Sequence, residues 1–244
     1  MFLWEERSGL VNTGKLLSLI CSVTLLLPVF GCSKLDPSKA TQHTENFDVE
    51  IVYKRNQICY AVSMEESNTS LYSFNAAGLP VYAQDGSAST ASMLKPGMCV
   101  SVKYDGYLLE TYPAQFSGVT EVTIDASNAN DVEYLAKQIS GMFPSTSPSD
   151  ISSWDISFQG VSFLSEREKV ALKHILSENW GDAIISIDAE GTASEGTGHI
   201  LVQTDECSDT SLLLSITVDT GKDGETPMTR TIQATRTDGA WTNE

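Results

Sequence analysis

Short runs of alternating apolar and polar residues dominate the stretch from residue 47 to residue 124, and they constrain the fold more than any other feature. A period of two places successive side chains on opposite faces of a strand, so each run predicts a half-buried β-strand. The clearest runs are Phe47, Val49 and Ile51, then Ile58, Tyr60 and Val62, then Leu71 to Phe74, and finally Val100, Val102 and Tyr104. Five or six strands in about 80 residues are typical of a small β-barrel or sandwich.

A turn signal follows the fourth run. Asp105-Gly106 stands between that run and the stretch Tyr107–Tyr112, which Pro113 ends. Asp-Gly suits the two positive φ angles that a two-residue hairpin turn requires. The sequence therefore predicts a hairpin at these two residues, with a further strand over Gly118–Ile124.

Four segments of this region carry a resemblance. They are Lys95-Pro96-Gly97, VSVKYDG, ETYPA and VTEVTI, all within residues 48–125. Together they resemble a group of small uncharacterised lipoproteins of Firmicutes with an OB-like β domain. The resemblance implies an OB-like fold for this part of the chain. It implies no catalytic residue, because the shared positions are turn formers and strand residues.

A helix is predicted over Asn130–Ser140, where one apolar face contains Val132, Leu135, Ala136 and Ile139. Asn130, with a glutamate three residues later, has the spacing of a capping box. The β-rich domain and this helix together make a first domain of residues 47–143. The Pro- and Ser-rich segment 144–150 follows, and we interpret it as a linker between two separable domains with few contacts across it.

The second domain, residues 151–244, is predicted to be α+β. Its predicted strands cover residues 154–158, 183–188, 199–204, 211–218 and 229–237. A capping box of Ser165 and Glu168 begins a helix that ends near Gly181. Its apolar face comprises Ala171, Leu172, Ile175 and Leu176. A helix packed on an antiparallel sheet is an outline shared by cystatin-like and NTF2-like domains.

An apolar segment, residues 16–29, lies near the N-terminus and is too short to span a bilayer as a helix. It ends in Val29-Phe30-Gly31-Cys32, which resembles the bacterial lipobox. That resemblance implies a signal peptide of residues 1–31, a diacylglyceryl group on Cys32, and a flexible tether over residues 32–46. An ordinary signal cleavage site and an uncleaved anchor are the two alternatives. We expect a lipid-anchored protein on the extracytoplasmic side of the cell membrane.

The charge excludes one class of partner. Acidic residues number 32 and basic residues 15, for a net charge of −17. Nucleic-acid binding depends on Lys and Arg side chains that neutralise phosphates, so we expect no nucleic-acid partner. The field favours cationic peptides, basic proteins or loosely held divalent cations, although solubility alone also explains an acidic surface.

The sequence contains no pattern of residues that we assign to catalysis or metal binding. His174 lies beside the apolar face of its helix, and we expect it to be partly exposed. His199 stands close in sequence to Ser194 and Glu195, but triad members normally come from separated elements, so we interpret that segment as a hairpin loop. The acidic loop Asp219–Glu225 lacks the ligand spacing of an EF-hand and is interpreted as a turn. We therefore predict no catalytic residue, no metal and no cofactor.

Three cysteines remain after Cys32. Cys59 and Cys99 lie in predicted strands, and a disulfide between them requires those strands to be neighbours; it would contribute about 4 kcal/mol. Three buried thiols, including Cys207, are the alternative that we favour.

The functional prediction is a non-catalytic binding or scaffolding module for a protein, peptide or glycan. A surface hydrolase with paired carboxylates is the first alternative, and a deep pocket holding two close, partly buried carboxylates is the observation that favours it. An inhibitor with a cystatin-like or NTF2-like domain is the second alternative.

Overall fold

The computed structural model describes residues 43–143, 151–181, 183–187 and 196–244. This part of the chain is mostly β, with two sheets and two α-helices. The predicted signal peptide, Cys32 and most of the predicted tether lie outside the described residues, and the last two tether residues, Glu45 and Asn46, belong to the first strand. The predicted linker 144–150 and the pair Ser194 and Glu195 also lie outside the described residues.

The first sheet confirms the alternating strands predicted for the first domain. Its members are β1 (Glu45–Arg55), β2 (Ile58–Ser63), β3 (Leu71–Asn75), β4 (Val81–Tyr82), β5 (Ala88–Ser89), β6 (Met98–Tyr104), β7 (Leu108–Leu109), β8 (Ala114–Phe116) and β9 (Glu121–Ser127). Their order across the sheet is β5-β4-β9-β6-β1-β2-β3-β8-β7. One face buries Val49, Ile51, Ala61 and Val102 in an apolar core of its own.

The hairpin predicted at Asp105-Gly106 is wrong. Strand β6 pairs with β1 and β9, and the short strand β7 pairs with β8. The Asp105 carboxylate explains the change of direction, since it accepts hydrogen bonds from the Tyr107 N–H (3.0 Å) and the Ser117 hydroxyl (2.9 Å). This side-chain turn directs the chain away from β6.

The second sheet contains β10 (Ser153–Gln159), β11 (Ile184–Ile187), β12 (Thr197–Cys207), β13 (Ser211–Asp219), β14 (Met228–Thr237) and β15 (Ala240–Asn243). All the strands predicted for this region are confirmed, and β15 is an addition. The order is β11-β10-β12-β13-β14-β15.

The prediction of an antiparallel second sheet is wrong in part, because β10 pairs in parallel with both β11 and β12. A helix that connects β10 to β11 permits this parallel pairing, as crossover helices do. Strands β11 and β12 lie on opposite sides of β10 and do not pair with each other, while the predicted hairpin loop between them lies outside the described residues. Only the pairs from β12 to β15 are antiparallel.

The two helices are α1 (Asp131–Ser140) and α2 (Glu166–Asn179). The predicted apolar faces of both are buried. The α2 capping box is confirmed, with both reciprocal hydrogen bonds between Ser165 and Glu168. The α1 cap is not, because the Asn130 side-chain oxygen accepts a hydrogen bond from the Trp241 backbone N–H instead (3.1 Å).

A shared apolar core joins the first sheet to the helices and the second sheet. It includes Val52 and Val62 from the first sheet, Leu135 from α1, Leu172 from α2 and Trp154 from β10. The described residues from both sides of the predicted linker belong to one compact unit. The expectation of few contacts between the parts is therefore not met in the described residues, although the proposed boundary itself stays a prediction.

The ring of Trp154 lies against Gly198, its partner on β12. A Cβ at residue 198 would overlap the indole, so only glycine permits this approach of strand to ring. None of the described helices is long and apolar enough to cross a membrane.

Candidate binding cleft

A polar cleft of about 480 Å³ opens where the first sheet meets the start of both helices and the end of β14. It is lined by Glu50, Ser127, Asn128, Ala129, Asp131, Phe163, Arg167, Glu168, Arg236 and Gly239. Three carboxylates and two guanidinium groups thus converge from β1, α1, α2 and β14. Such convergence of polar groups in one concave site is typical of ligand-binding sites.

Glu50 is the most deeply buried of the carboxylates, with 5% of its surface exposed. It lies on β1, on the face opposite Val49 and Ile51, and its Oε2 accepts a hydrogen bond from Asn128 Nδ2 (3.1 Å). Burial raises the pKa of Glu50 to about 7, and the negative charge of Glu168 adds to the effect. The Asn128 hydrogen bond and the charge of Arg167 oppose it. The carboxyl therefore exchanges its proton near neutral pH.

Asp131 is the first residue of α1, and its Oδ1 accepts a hydrogen bond from the indole N–H of Trp241 on β15. A carboxylate at a helix N-terminus is normally favoured as the charged form. Here burial dominates and raises the pKa of Asp131 to about 6, against the effect of the Trp241 hydrogen bond.

Glu168 completes the carboxylate group from the first turn of α2. Its Oε2 accepts hydrogen bonds from the backbone N–H and the hydroxyl of Ser165, at 2.7 Å and 2.6 Å. The capping box therefore fixes the side chain in the cleft wall, where its negative charge acts on both Glu50 and Asp131.

The two arginines differ in how they are held. Arg167 Nη1 donates to the backbone carbonyl of Ser63 at the end of β2 (2.8 Å), which ties α2 to the first sheet. Its Nε is buried and has no acceptor among the described residues. Arg236 lies over the Trp241 ring, 5.3 Å from the ring centroid, as in a cation–π contact.

A second depression of about 340 Å³ adjoins the cleft and shares Asp131, Phe163 and Arg236 with it. Its wall also contains Trp241 and the exposed Cys207. The two depressions share a wall beside α1, and we call them together the groove. Its carboxyl groups can accept hydrogen bonds, bind a cationic group, or transfer a proton near neutral pH.

His174 is less exposed than predicted, with 11% of its side chain accessible. Its ring lies between Tyr60 and Tyr112, at centroid distances of 5.6 Å and 5.3 Å, and its Nε2 is 3.4 Å from Glu178 Oε1. The ring is thus half-buried where we predicted a partly exposed residue, because Tyr60 of β2 and Tyr112 lie against this flank of α2. Burial lowers the pKa of His174.

The other histidines lie away from the cleft lining. His199 Nε2 is 3.0 Å from the hydroxyl of Ser157 on the neighbouring strand β10. His43 begins the described chain, 3.7 Å from a carboxylate oxygen of Glu45. The loop between β13 and β14 is a turn, as predicted, in which Asp219 accepts a hydrogen bond from the Gly221 N–H (2.9 Å). Among the described residues, no three His, Cys, Asp or Glu side chains are placed to hold a metal ion.

Within the described residues, Cys59, Cys99 and Cys207 are free thiols. Cys59 pairs with Lys54 and Cys99 pairs with Glu50, so β1 separates the two strands that carry them. Strands two positions apart are about 10 Å apart, too far for a disulfide. The condition for the disulfide is thus not met. Burial raises the pKa of both thiols to about 11. Cys207 is exposed, whereas we expected it to be buried.

The cleft was not predicted from the sequence, because the alternation in β1 assigns its polar face to solvent. Val52 was the one contrary signal, since it lies on the same face of β1 as Glu50 and interrupts the alternation. An apolar residue at such a position indicates a strand covered on both sides, and hence a buried glutamate. Neither a protein-family model nor a curated protein sequence matches the chain.

Proposed function

We propose that this chain is a bacterial lipoprotein, anchored through Cys32 on the extracytoplasmic side of the cell membrane, and that it acts as a non-catalytic binding or scaffolding module. The lipobox resemblance of Val29 to Cys32 supports the anchor. The groove supports the binding role. The main evidence for this role is that Glu50, Asp131 and Glu168 line the same cleft.

A cationic peptide segment is the ligand that this chemistry fits best. Burial raises the pKa values of Glu50 and Asp131, and the negative charge of Glu168 adds to the effect. A lysine or arginine side chain of a ligand supplies a positive partner and favours the ionised carboxylates. The net charge of −17 also attracts cationic ligands over a longer range.

Calorimetric titration of the purified chain with tetralysine tests this role. At pH 8 and about 0.15 M salt we expect binding that weakens at least about fivefold in Asp131→Asn and also weakens at pH 5, where Glu50 and Asp131 are protonated. Asp223→Asn is the matched control, because it removes the same charge from an exposed loop. Equal affinities for the two variants would show that only the overall charge matters and would contradict the cleft as the binding site.

The anchor has its own test. Cells that express the wild-type chain should incorporate radioactive fatty acid into it, and Cys32→Ala should abolish the label. A wild-type chain without label would refute the lipoprotein proposal and leave the binding role of the cleft unaffected.

We also propose that the first sheet is an OB-like half-barrel. Its five central strands, β9-β6-β1-β2-β3, are short and pair with their neighbours in antiparallel fashion, which supports that description. A comparison of its strand order with experimentally determined OB domains checks the proposal.

A hydrolase is the second candidate, favoured by the pKa of Glu50 and by the neighbouring carboxylates. A carboxyl with a pKa of about 7 in a polar cleft has the property required of a general acid. If the chain hydrolyses an oligosaccharide, Glu50→Gln should abolish the release of reducing ends while the fold is retained. Activity that persists in Glu50→Gln would exclude this role for Glu50.

A further inference from the structure

Six consecutive exposed residues form a projection at one end of the first sheet. We call this projection the apolar loop; it comprises residues 107–112, YLLETY, and includes the edge strand β7. Four of its side chains are large apolar or aromatic groups that the protein leaves exposed: Tyr107, Leu108, Leu109 and Tyr112. The two tyrosines are the most accessible, at 71% and 66%. Exposed apolar groups clustered in this way mark an interaction surface.

Hydrogen bonds hold the apolar loop in place. Asp105 accepts from the Tyr107 N–H, and the Ser117 N–H donates to the Tyr107 carbonyl oxygen (3.0 Å). Leu108 and Leu109 pair with β8. The exposed side chains are therefore presented by a formed backbone, which lowers the entropy cost of docking.

The position of the apolar loop indicates its partner. Gly106, next to the loop, lies against the start of the described chain, so that a Cβ there would be 2.9 Å from His43 Nδ1. In the sequence, residues 33–42 separate His43 from Cys32. A chain of that length spans at most roughly 40 Å. The apolar loop therefore lies beside His43, on the side of the sheet that is connected to the predicted lipid anchor by residues 33–42.

We propose that the apolar loop docks into the interface of the membrane that holds Cys32; this proposal rests on the lipid anchor proposed above. Tyrosine rings favour the headgroup level of a bilayer, and leucine side chains favour the acyl region below it. Glu110 in the loop and the net charge of −17 disfavour anionic lipids. The matching surface is therefore a zwitterionic bilayer rather than an anionic one.

Quenching of tryptophan fluorescence by brominated acyl chains tests the docking. The lipidated protein is placed in phosphatidylcholine vesicles as wild type, as Leu109→Trp and as Met93→Trp. Met93 is the matched control, since it is 48% exposed where Leu109 is 46% exposed. It also lies at the opposite end of β1, because Lys54 Nζ donates to the carbonyls of Ala91 and Leu94 beside it. The native Trp154, Trp180 and Trp241 are buried, and wild type supplies their background.

We expect the added fluorescence of Leu109→Trp to fall to roughly half in brominated vesicles, while that of Met93→Trp is unchanged. Phosphatidylserine in the vesicles should weaken the quenching. Equal quenching of the two variants, or none, in protein whose mass includes the acyl chains would overturn the docking and leave the anchor intact. A mass without acyl chains would refute the anchor, and the docking with it.

Discussion

The two helices begin side by side at the cleft, but they are held there by different means. The start of α2 is capped within four residues, by the reciprocal hydrogen bonds of Ser165 and Glu168. The start of α1 depends on the other end of the chain, because Asn130 and Asp131 both accept hydrogen bonds from Trp241. One carboxylate of the cleft is therefore positioned locally, and another by tertiary contact alone.

The site therefore has two parts. A short sequence pattern specifies the position of Glu168, whereas only the assembled fold specifies the position of Asp131. A capping box positions Glu168 wherever α2 forms. Asp131 is positioned only when β15 has joined the second sheet and brought Trp241 to α1. Loss of the C-terminal strand should thus disturb the cleft more than loss of the local cap.

The largest effect should come from the buried face of α2. Leu172 is fully buried in the shared core, so Leu172→Ala leaves a cavity and should lower the free energy of unfolding by about 2–5 kcal/mol. Urea denaturation measures this loss. Because the shared core includes both sheets, we expect a single transition for the whole described unit. Two separate transitions, only one of them shifted, would support separable domains instead.

A smaller effect should follow from Trp241→Phe, which keeps an aromatic ring but removes the indole donor. The half-buried Asp131 carboxylate then lacks a hydrogen bond, and the free energy of unfolding should fall by about 1–3 kcal/mol. In an Asp131→Asn background the same substitution should cost less, and the difference gives the coupling energy. Equal costs in the two backgrounds would mean that the indole hydrogen bond does not anchor α1.

The smallest effect should come from the local cap. Ser165→Ala removes the hydroxyl that bonds the Glu168 carboxylate and should cost about 1 kcal/mol, whereas Ser165→Thr should retain most of the stability. Thermal unfolding monitored by circular dichroism measures both. A loss larger than that of Trp241→Phe would reverse the contrast between the two helix starts.

The elements of the fold were predictable where the cause was local. Alternation identified the strands around Val49, Val62 and Val100, and the Ser165 box identified the start of α2. Strand partners were not predictable. The Asp-Gly pair at 105–106 is typical of a hairpin, but the Asp105 carboxylate accepts a hydrogen bond from Tyr107, and the next strand, β7, does not pair with β6. The parallel pairing of β10 likewise depends on how the helix between β10 and β11 packs.

The site was less predictable than the fold. Glu50 occupies a polar position of an alternating strand, and that pattern alone assigns it to solvent; only Val52, on the same face of β1, indicated burial. The partnership of Asp131 with Trp241 joins residues 110 positions apart, which no short pattern reports. The extent to which His174 is covered was not predictable for the same reason, because Tyr60 and Tyr112, which lie against it, are distant in sequence.

The buried carboxyl at the centre of the cleft has a consequence for stability against pH. The pKa of Glu50 is about 7 in the folded chain and near 4.5 when the chain is unfolded. Between these two pH values the folded state binds more protons than the unfolded state. The contribution of Glu50 to the free energy of unfolding is therefore fully present below pH 4.5 and is lost as the pH rises towards 7. Asp131 acts in the same direction between its ordinary pKa of 3.8 and about 6.

The most direct test of the cleft is the free energy of unfolding at pH 5 and pH 8, measured by urea denaturation for wild type and for Glu50→Gln. Glutamine preserves the shape of the side chain and cannot ionise, so the comparison isolates the contribution of Glu50. We expect wild type to lose about 2 kcal/mol more than Glu50→Gln over this range. The same loss in both proteins would contradict a buried, protonated Glu50 and with it the geometry of the cleft.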